Sequence, residues 1–183
     1  MKHLRALATA VSATLLGLAV PLLAPAAARA SQTAGVDITC LGSTHATYDP
    51  PITNTEQDTT AHRTTNFSCT SLLTAVSSGY LDRTVVQTLS CLLAVTPPTS
   101  TMTETYSWNT GQSSTATYVS STAVHAADGT TTVTAVGAIT SGLGLGSTVT
   151  KTVVIPQLNP TACATTGLSE VNGTASLAIL PAD

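Results

Sequence analysis

Hydrophobic and polar residues alternate with a period of two along most of the chain after residue 35. In residues 84–95, for example, Val85, Leu89 and Cys91 fall on one side. Because successive side chains of a strand point to opposite faces, this pattern predicts strands with one buried face. Turn signals separate eight such runs, at residues 36–41, 63–69, 84–95, 101–108, 114–124, 130–139, 147–155 and 172–180.

Short strands with turns at this spacing are typical of an antiparallel sandwich or barrel. We expect a single all-β domain over residues 31–183, built as an antiparallel β-sandwich of immunoglobulin-like or related Greek-key type. Residues 69–87 are ambiguous, because Leu72, Leu73 and Val76 have helical spacing. One short helix is therefore expected there, at an end of the sandwich.

The first thirty residues predict a secretory signal peptide rather than part of the fold. Basic residues at the start precede an apolar run, and small residues at Ala28 and Ala30 end it. Pro21 and Pro25 argue against a transmembrane anchor. We therefore expect cleavage after Ala30, and a secreted, extracellular product without a membrane span.

Cleavage would leave few cations on the chain. The precursor has a net charge of −3, and after residue 30 only Arg63, Arg83 and Lys151 remain against nine acidic residues, which gives −6. Three scattered cations cannot neutralise a phosphate backbone, so nucleic acid is not an expected partner. Charged residues make up 8% of the sequence, and Ser and Thr take their place on the predicted outer faces.

The four cysteines, Cys40, Cys69, Cys91 and Cys163, predict two disulfides in an exported chain. Four cysteines allow three pairings, and their spacing does not choose among them. Zinc or redox chemistry favours closely spaced pairs such as C-x-x-C, but the nearest two here are 22 residues apart. We expect structural bridges and no metal or cofactor.

No catalytic constellation stands out in the sequence. The G-x-S-x-G motif of many hydrolases is absent, and His45, His62 and His125 lack an H-x-x-x-H partner. These histidines are predicted to be solvated loop or strand residues. Glu104 alternates onto the face of Trp108, and we expect it at the sheet margin. The protein is therefore not expected to be an enzyme.

The stretch TYSWNTGQSS, residues 105–114, holds the only tryptophan beside amide side chains. Aromatic faces can stack on sugar rings while amides bond the hydroxyls. A hairpin centred on this stretch would instead place Trp108 opposite Ser113 and Met102 opposite Val119, with both aromatic rings facing the core. The candidate ligand-binding residues are Tyr106, Trp108, Asn109, Thr110, Gly111 and Gln112, of which the last four form the loop tip.

Several motifs recur in a familiar order around the cysteines: YDPPIT (48–53), SCLL (90–93), YSWNTGQSS (106–114), VGAITSGLGLG (136–146), ACATTG (162–167) and GTASLAI (173–179). In this order the chain resembles small secreted four-cysteine proteins of actinobacteria of the Streptomyces type. The resemblance implies a secreted β-sandwich and the pairing Cys40–Cys69 and Cys91–Cys163. It leaves the activity open.

Small secreted β-proteins of this style are also similar to the bridging subunit of the umbrella toxin particles of Streptomyces. That subunit joins a lectin-bearing component to a large toxin, partly through an extended N-terminal segment, for which residues 31–37 would be the equivalent. We therefore expect a secreted non-catalytic adaptor whose partner is another secreted protein. The alternatives are a carbohydrate- or small-ligand-binding protein, and a secreted enzyme or protease inhibitor.

Overall fold

The computed structural model describes residues 36–97 and 100–182, which form a closed antiparallel barrel with two short helices. The strands are β1 (Ile38–Ile52), β2 (Gln57–Ser71), β3 (Ser78–Leu89), β4 (Met102–Trp108), β5 (Ser113–His125), β6 (Thr131–Gly142), β7 (Thr148–Ile155) and β8 (Leu168–Leu180). The helices are α1 (Cys91–Ala94) and α2 (Pro160–Ala164). Each of the eight predicted runs overlaps one strand. The predicted signal peptide lies outside the described residues.

The predicted β-sandwich is wrong, because the sheet closes on itself instead of dividing into two layers. Each strand pairs with the next along the chain, and β8 pairs with β1 from Ile38 opposite Ile179 to Thr47 opposite Glu170. Alternation determines which face of a strand is buried but not which strand lies beside it. The same pattern therefore suits either architecture.

The short helix predicted within residues 69–87 is also absent from that segment. There β2 continues to Ser71 and β3 begins at Ser78, while Leu72 and Leu73 are exposed. A short apolar run does not distinguish helix from strand by spacing alone. The backbone N–H groups of Leu72 and Leu73 donate instead to the carboxylate of Asp37, so the segment forms the connection between two paired strands.

The two helices lie together at one end of the barrel. Ser90 caps the N-terminus of α1 and Asn159 that of α2, in each case through a side-chain oxygen that accepts backbone N–H groups. The helices are joined by the disulfide Cys91–Cys163. The end of the predicted strand 84–95 is thus helix α1. No helix in the described ranges is long and apolar enough to cross a membrane.

The barrel interior contains two groups of buried side chains. We call the first the packed end, which comprises Ile38, Phe67, Tyr106, Trp108 and the disulfide Cys40–Cys69 with their neighbours. The second, the capped end, lies under the helices and comprises Tyr48, Ile52, Leu89 and the disulfide Cys91–Cys163. Both predicted disulfides are present, in the pairing that the resemblance implies.

Candidate functional site

The β4–β5 hairpin differs by one residue from the predicted register. Tyr106 pairs with Ser114, and Met102 pairs with Tyr118. Because side chains alternate between faces, this shift turns Tyr118 into the barrel and leaves Val119 outside, 74% exposed. The expected match of Met102 with Val119 on one inner face is therefore wrong.

The two aromatic rings singled out in the sequence lie in the packed end. Tyr106 and Trp108 are buried and stacked, with ring centroids 6.0 Å apart. The indole Nε1 of Trp108 donates to Ser114 Oγ over 2.8 Å. Gly79 in β3 leaves room for the indole, since a Cβ there would stand 2.4 Å from a ring carbon. Because both rings are buried, they are not accessible to a ligand on the outer surface.

The loop tip Asn109–Gln112 is exposed, but its polar groups bond to the protein. Asn109 Oδ1 accepts hydrogen bonds from the backbone of Ser77 and Ser78, at 2.9 and 3.1 Å. Thr110 Oγ1 donates to Gln112 Oε1 over 3.2 Å, and Gly111 has a φ of 78° that favours glycine. Asn109 thus holds the β2–β3 loop. Ligand binding at this tip stays a prediction.

A cavity of about 370 Å³ lies inside the barrel between the packed and capped ends. Its wall is mainly apolar and is contributed by strands from around the barrel and by α1. The apolar side chains that surround most of its length include Val85, Leu89, Leu93, Met102, Val133 and Ile155.

Every Lys and Arg after residue 30 lines this cavity, although the three lie on different strands. Arg63 comes from β2, Arg83 from β3 and Lys151 from β7. The charges that look scattered in the sequence are thus gathered in one place. They are concentrated where the cavity meets the packed end, beside Glu104, the one carboxylate that is buried among the described residues.

Glu104 is fully buried in the barrel, so its predicted place at the sheet margin is wrong. Lys151 Nζ donates to both carboxylate oxygens of Glu104, at 2.9 and 2.7 Å. Burial alone would raise the pKa of Glu104, but the Lys151 ammonium and a hydrogen bond from Tyr106 hold it below its usual value. Burial likewise lowers the pKa of Lys151, and Glu104 partly offsets that shift.

Two tyrosines extend this polar cluster into the packed end. Tyr106 Oη donates to Glu104 Oε2 over 2.7 Å and lies 2.6 Å from Tyr118 Oη. Since Tyr106 gives its only hydroxyl proton to Glu104, Tyr118 is the donor to Tyr106. Burial and the nearby carboxylate raise the pKa of both hydroxyls. The cluster therefore fixes the carboxylate of Glu104 behind Lys151, the member of the pair that lines the cavity.

The two arginines stand directly opposite each other on neighbouring strands, with both side chains toward the interior. Arg63 of β2 pairs with Arg83 of β3. Arg83 Nη1 lies 4.0 Å from Glu104 Oε1, whereas Arg63 contacts the neutral hydroxyl of Tyr48. Within residues 36–97 and 100–182, no carboxylate oxygen lies within 4.0 Å of the Arg63 guanidinium. Like charges directly opposite on a sheet repel each other.

The barrel wall is weakest between β3 and β4, beside the arginines. These strands pair only from Gly79 to Leu81, so in the described structure residues 82–89 of β3 have no strand on that side. Gln87, Thr88 and Ser100 line the cavity at this seam, and the Arg83 side chain is 32% exposed. Arg83 is thus both a lining residue of the cavity and partly accessible to solvent.

The sequence contained a signal for this cluster. In residues 148–155, Lys151 shares its face with Val149, Val153 and Ile155, where a hydrophobic residue would be expected. Charged residues are rarely fully buried unless they are paired, so one on an apolar face indicates a partner across the interior. Glu104, on the aromatic face of β4, is that partner.

The remaining candidates do not join the cavity. His62 Nε2 lies 2.9 Å from Asp82 Oδ1 and His45 Nδ1 lies 2.8 Å from Asn172 Oδ1, both on the outer face. His125 bonds Thr131 near the end of β5. Among the residues that the structure describes, no group of three or more His, Cys, Asp or Glu is placed to hold a metal.

Comparisons with protein-family models, with curated proteins and with solved structures find no match to this chain. The site must therefore be interpreted from its own geometry. It consists of a mainly apolar cavity, a buried Glu104–Lys151 pair of which Lys151 lines the cavity, and two arginines opposite each other beside the incomplete pairing of β3 with β4.

Proposed function

We propose that the protein is an exported, non-catalytic binding protein that holds a small molecule with an apolar body inside its barrel. The cavity between the packed and capped ends carries this proposal. Its volume of about 370 Å³ falls within the ~300–1,000 Å³ of small-molecule sites, and its apolar wall with a few convergent polar groups is the usual composition of such sites.

Close packing elsewhere in the barrel supports this interpretation. Protein interiors normally pack like organic crystals, with few voids larger than a water molecule. In the packed end, Tyr106, Ile38 and Leu177 are at most 1% exposed and fill the interior of the same barrel. The capped end instead carries two helices joined by a disulfide, which cover that end of the barrel.

The adaptor role predicted from the sequence would be supported by strand edges open to a partner. Closure of the sheet limits such edges in the described barrel to two stretches, residues 82–89 of β3 and residues 119–125 of β5, which have no neighbouring strand on one side. The similarity to bridging subunits of toxin particles stays a prediction. The interior offers the more specific chemistry and leads to the simpler experiment.

The test uses N-phenylnaphthylamine, an uncharged apolar fluorophore that brightens in apolar surroundings. Val85 lines the cavity, whereas its neighbour Val86 points outward and is 69% exposed. We expect the wild-type protein to bind the fluorophore, Val85→Trp to weaken binding at least tenfold by filling the space, and Val86→Trp to leave it unchanged. Disulfide mapping and circular dichroism check that both variants fold.

The proposal fails if the folded wild-type protein gives no saturable fluorescence increase. It also fails if Val85→Trp and Val86→Trp bind the fluorophore with the same affinity, because binding would then occur on the outer surface.

A further inference from the structure

We infer that the natural ligand is an amphiphile with a carboxylate head, which Arg63 and Arg83 bind while its apolar tail lies toward the capped end. This inference rests on the proposed function and names the class of ligand. It follows from the charges at the cavity, the relation of the two arginines and the distribution of apolar wall residues.

The charges around the cavity do not balance. Three cations line it, and Glu104 is the one carboxylate within 4.0 Å of Lys151 or Arg83 in the described part of the chain. Lys151 already contacts both oxygens of that carboxylate. The charges of Arg63 and Arg83 are therefore largely left for another anion, and since both side chains are only partly exposed, that anion would be held more strongly than in water.

The position of the two arginines explains why the unpaired positive charge lies at this part of the cavity. Side chains directly opposite on paired strands have Cβ atoms only ~5 Å apart, so two guanidinium groups there repel each other. An oxyanion between them would convert the repulsion into two charge-assisted hydrogen-bonded contacts. The planar guanidinium fork matches the two oxygens of a carboxylate.

Glu104 limits how much negative charge the site accepts. Its Oε1 lies 4.0 Å from Arg83 Nη1, on the side of the cavity that the head group would occupy. In a partly buried site a second charge on the ligand would be repelled more strongly than in water. A singly charged carboxylate therefore suits the site better than a doubly charged phosphate.

The rest of the ligand must be apolar. From the arginines toward the capped end, the wall is formed by side chains such as Val85, Leu89, Leu93, Val153 and Ile155. Burial of a hydrocarbon chain against them contributes about 0.8 kcal/mol per CH₂, from the constant of about 25 cal/mol per Å². The seam between β3 and β4 places half-buried Arg83 where an anionic head would enter.

Displacement of N-phenylnaphthylamine by matched ligands tests the head group separately from the cavity. Decanoate and decanol have the same tail, and only decanoate carries the charge. We expect the wild-type protein to bind decanoate at least tenfold more tightly. Arg63→Gln and Arg83→Gln should each weaken decanoate binding about tenfold and leave decanol unchanged, because each removes one charge-assisted contact.

The control variants are His62→Gln and Asp82→Asn, which alter the neighbouring residues on the outer face and should change neither affinity. Equal affinities of decanoate and decanol, or equal losses of both in the arginine variants, would overturn the carboxylate assignment and leave the proposed function standing. Failure of the wild-type protein to bind the fluorophore would count against the proposed function itself.

Protein without ligand provides a second measurement. If Arg63 and Arg83 are held in repulsion for binding, Arg63→Gln should unfold at the same or a higher temperature than the wild type when no decanoate is added. A clearly lower unfolding temperature would show that Arg63 is needed for the fold, and would overturn its assignment to the ligand.

Discussion

The two ends of this barrel are built in opposite ways from the same strands. In the packed end, aromatic and branched side chains fill the interior around Cys40–Cys69, and Trp108 fits against Gly79. Between this end and the capped end, smaller or charged side chains such as Ala61, Arg63 and Val85 line the cavity, and at the capped end a second disulfide joins two helices. One region behaves as a core, whereas the other encloses a cavity.

This contrast shows how a binding site is obtained without a change of architecture. Inward positions recur every second residue along the whole barrel, so the backbone treats both halves alike. The difference lies in which side chains occupy those positions. Near the boundary between the packed end and the cavity, inward positions are occupied by Arg63, Arg83 and Lys151.

The largest effect is expected where the two halves meet. Glu104→Gln leaves Lys151 buried without its carboxylate and should lower the free energy of unfolding by about 3–5 kcal/mol, the usual cost of removing one partner of a buried pair. Urea denaturation measures it. Glu104→Gln combined with Lys151→Met should recover part of the loss. A change below about 1 kcal/mol in the single variant would contradict the role of the pair.

Two isoleucines compare packing in the core with packing at the cavity. Ile38 is fully buried, whereas Ile155 contacts the same group of buried side chains but also lines the cavity. We expect Ile38→Ala to cost about 4 kcal/mol and Ile155→Ala about 2 kcal/mol, because the second side chain already lacks neighbours on one side. Urea denaturation of both variants gives the difference. Equal costs would mean that both ends are packed alike.

The buried carboxylate should also make stability sensitive to acid. The pKa of Glu104 is lowered in the folded protein, so its contribution is complete above the unfolded pKa of about 4.3 and is lost as the pH falls through the folded value. The slope from this one proton is at most about 1.4 kcal/mol per pH unit. Unfolding measured between pH 6 and pH 2 should show that slope in the wild type and lack it in Glu104→Gln.

The groups that face Glu104 are Lys151, Tyr106, Arg83 and Arg63. None of these loses its proton in acid, because basic groups and tyrosine stay protonated below neutral pH. An unchanged acid slope in Glu104→Gln would therefore assign the dependence to surface carboxylates instead.

The smallest expected effect on stability concerns the loop tip Asn109–Gln112, which either holds the β2–β3 loop or is available to a ligand. Asn109→Ala removes the acceptor of the Ser77 and Ser78 N–H groups and should cost about 1 kcal/mol, while Gln112→Ala should cost less than about 0.5 kcal/mol. Thermal unfolding compares them. If instead Asn109→Ala has no effect on stability, the tip is not held by this side chain, and its residues become better candidates for an outside ligand.

Much of the barrel follows from local pattern. Alternation predicted all eight strands, and the even cysteine count predicted two bridges. Turn signals in the sequence separated the strands, and the turn between β5 and β6 contains Asp128-Gly129, whose glycine has a φ of 83°. These features could be predicted because each depends on neighbours in sequence: a two-residue period, a left-handed turn position or a simple count.

What the sequence could not supply was distance between strands. A difference of one residue in the loop shifts the hairpin register. The predicted register placed Val119 on the inner face, whereas the structure has Tyr118 there. A charge on an apolar face, such as Lys151, indicates a buried partner but does not say which one. Glu104 lies 47 residues away and was expected at a margin.

By itself, then, the sequence determined an all-β chain with two disulfides, its buried faces and its few charges. Only the tertiary structure decided that the sheet closes, because closure depends on the pairing of Ile38 with Ile179, at opposite ends of the described chain. Because the sheet closes, three inward-facing cations from different strands line one cavity. A cavity is a property of the gaps between strands, and local alternation contains no information about those gaps.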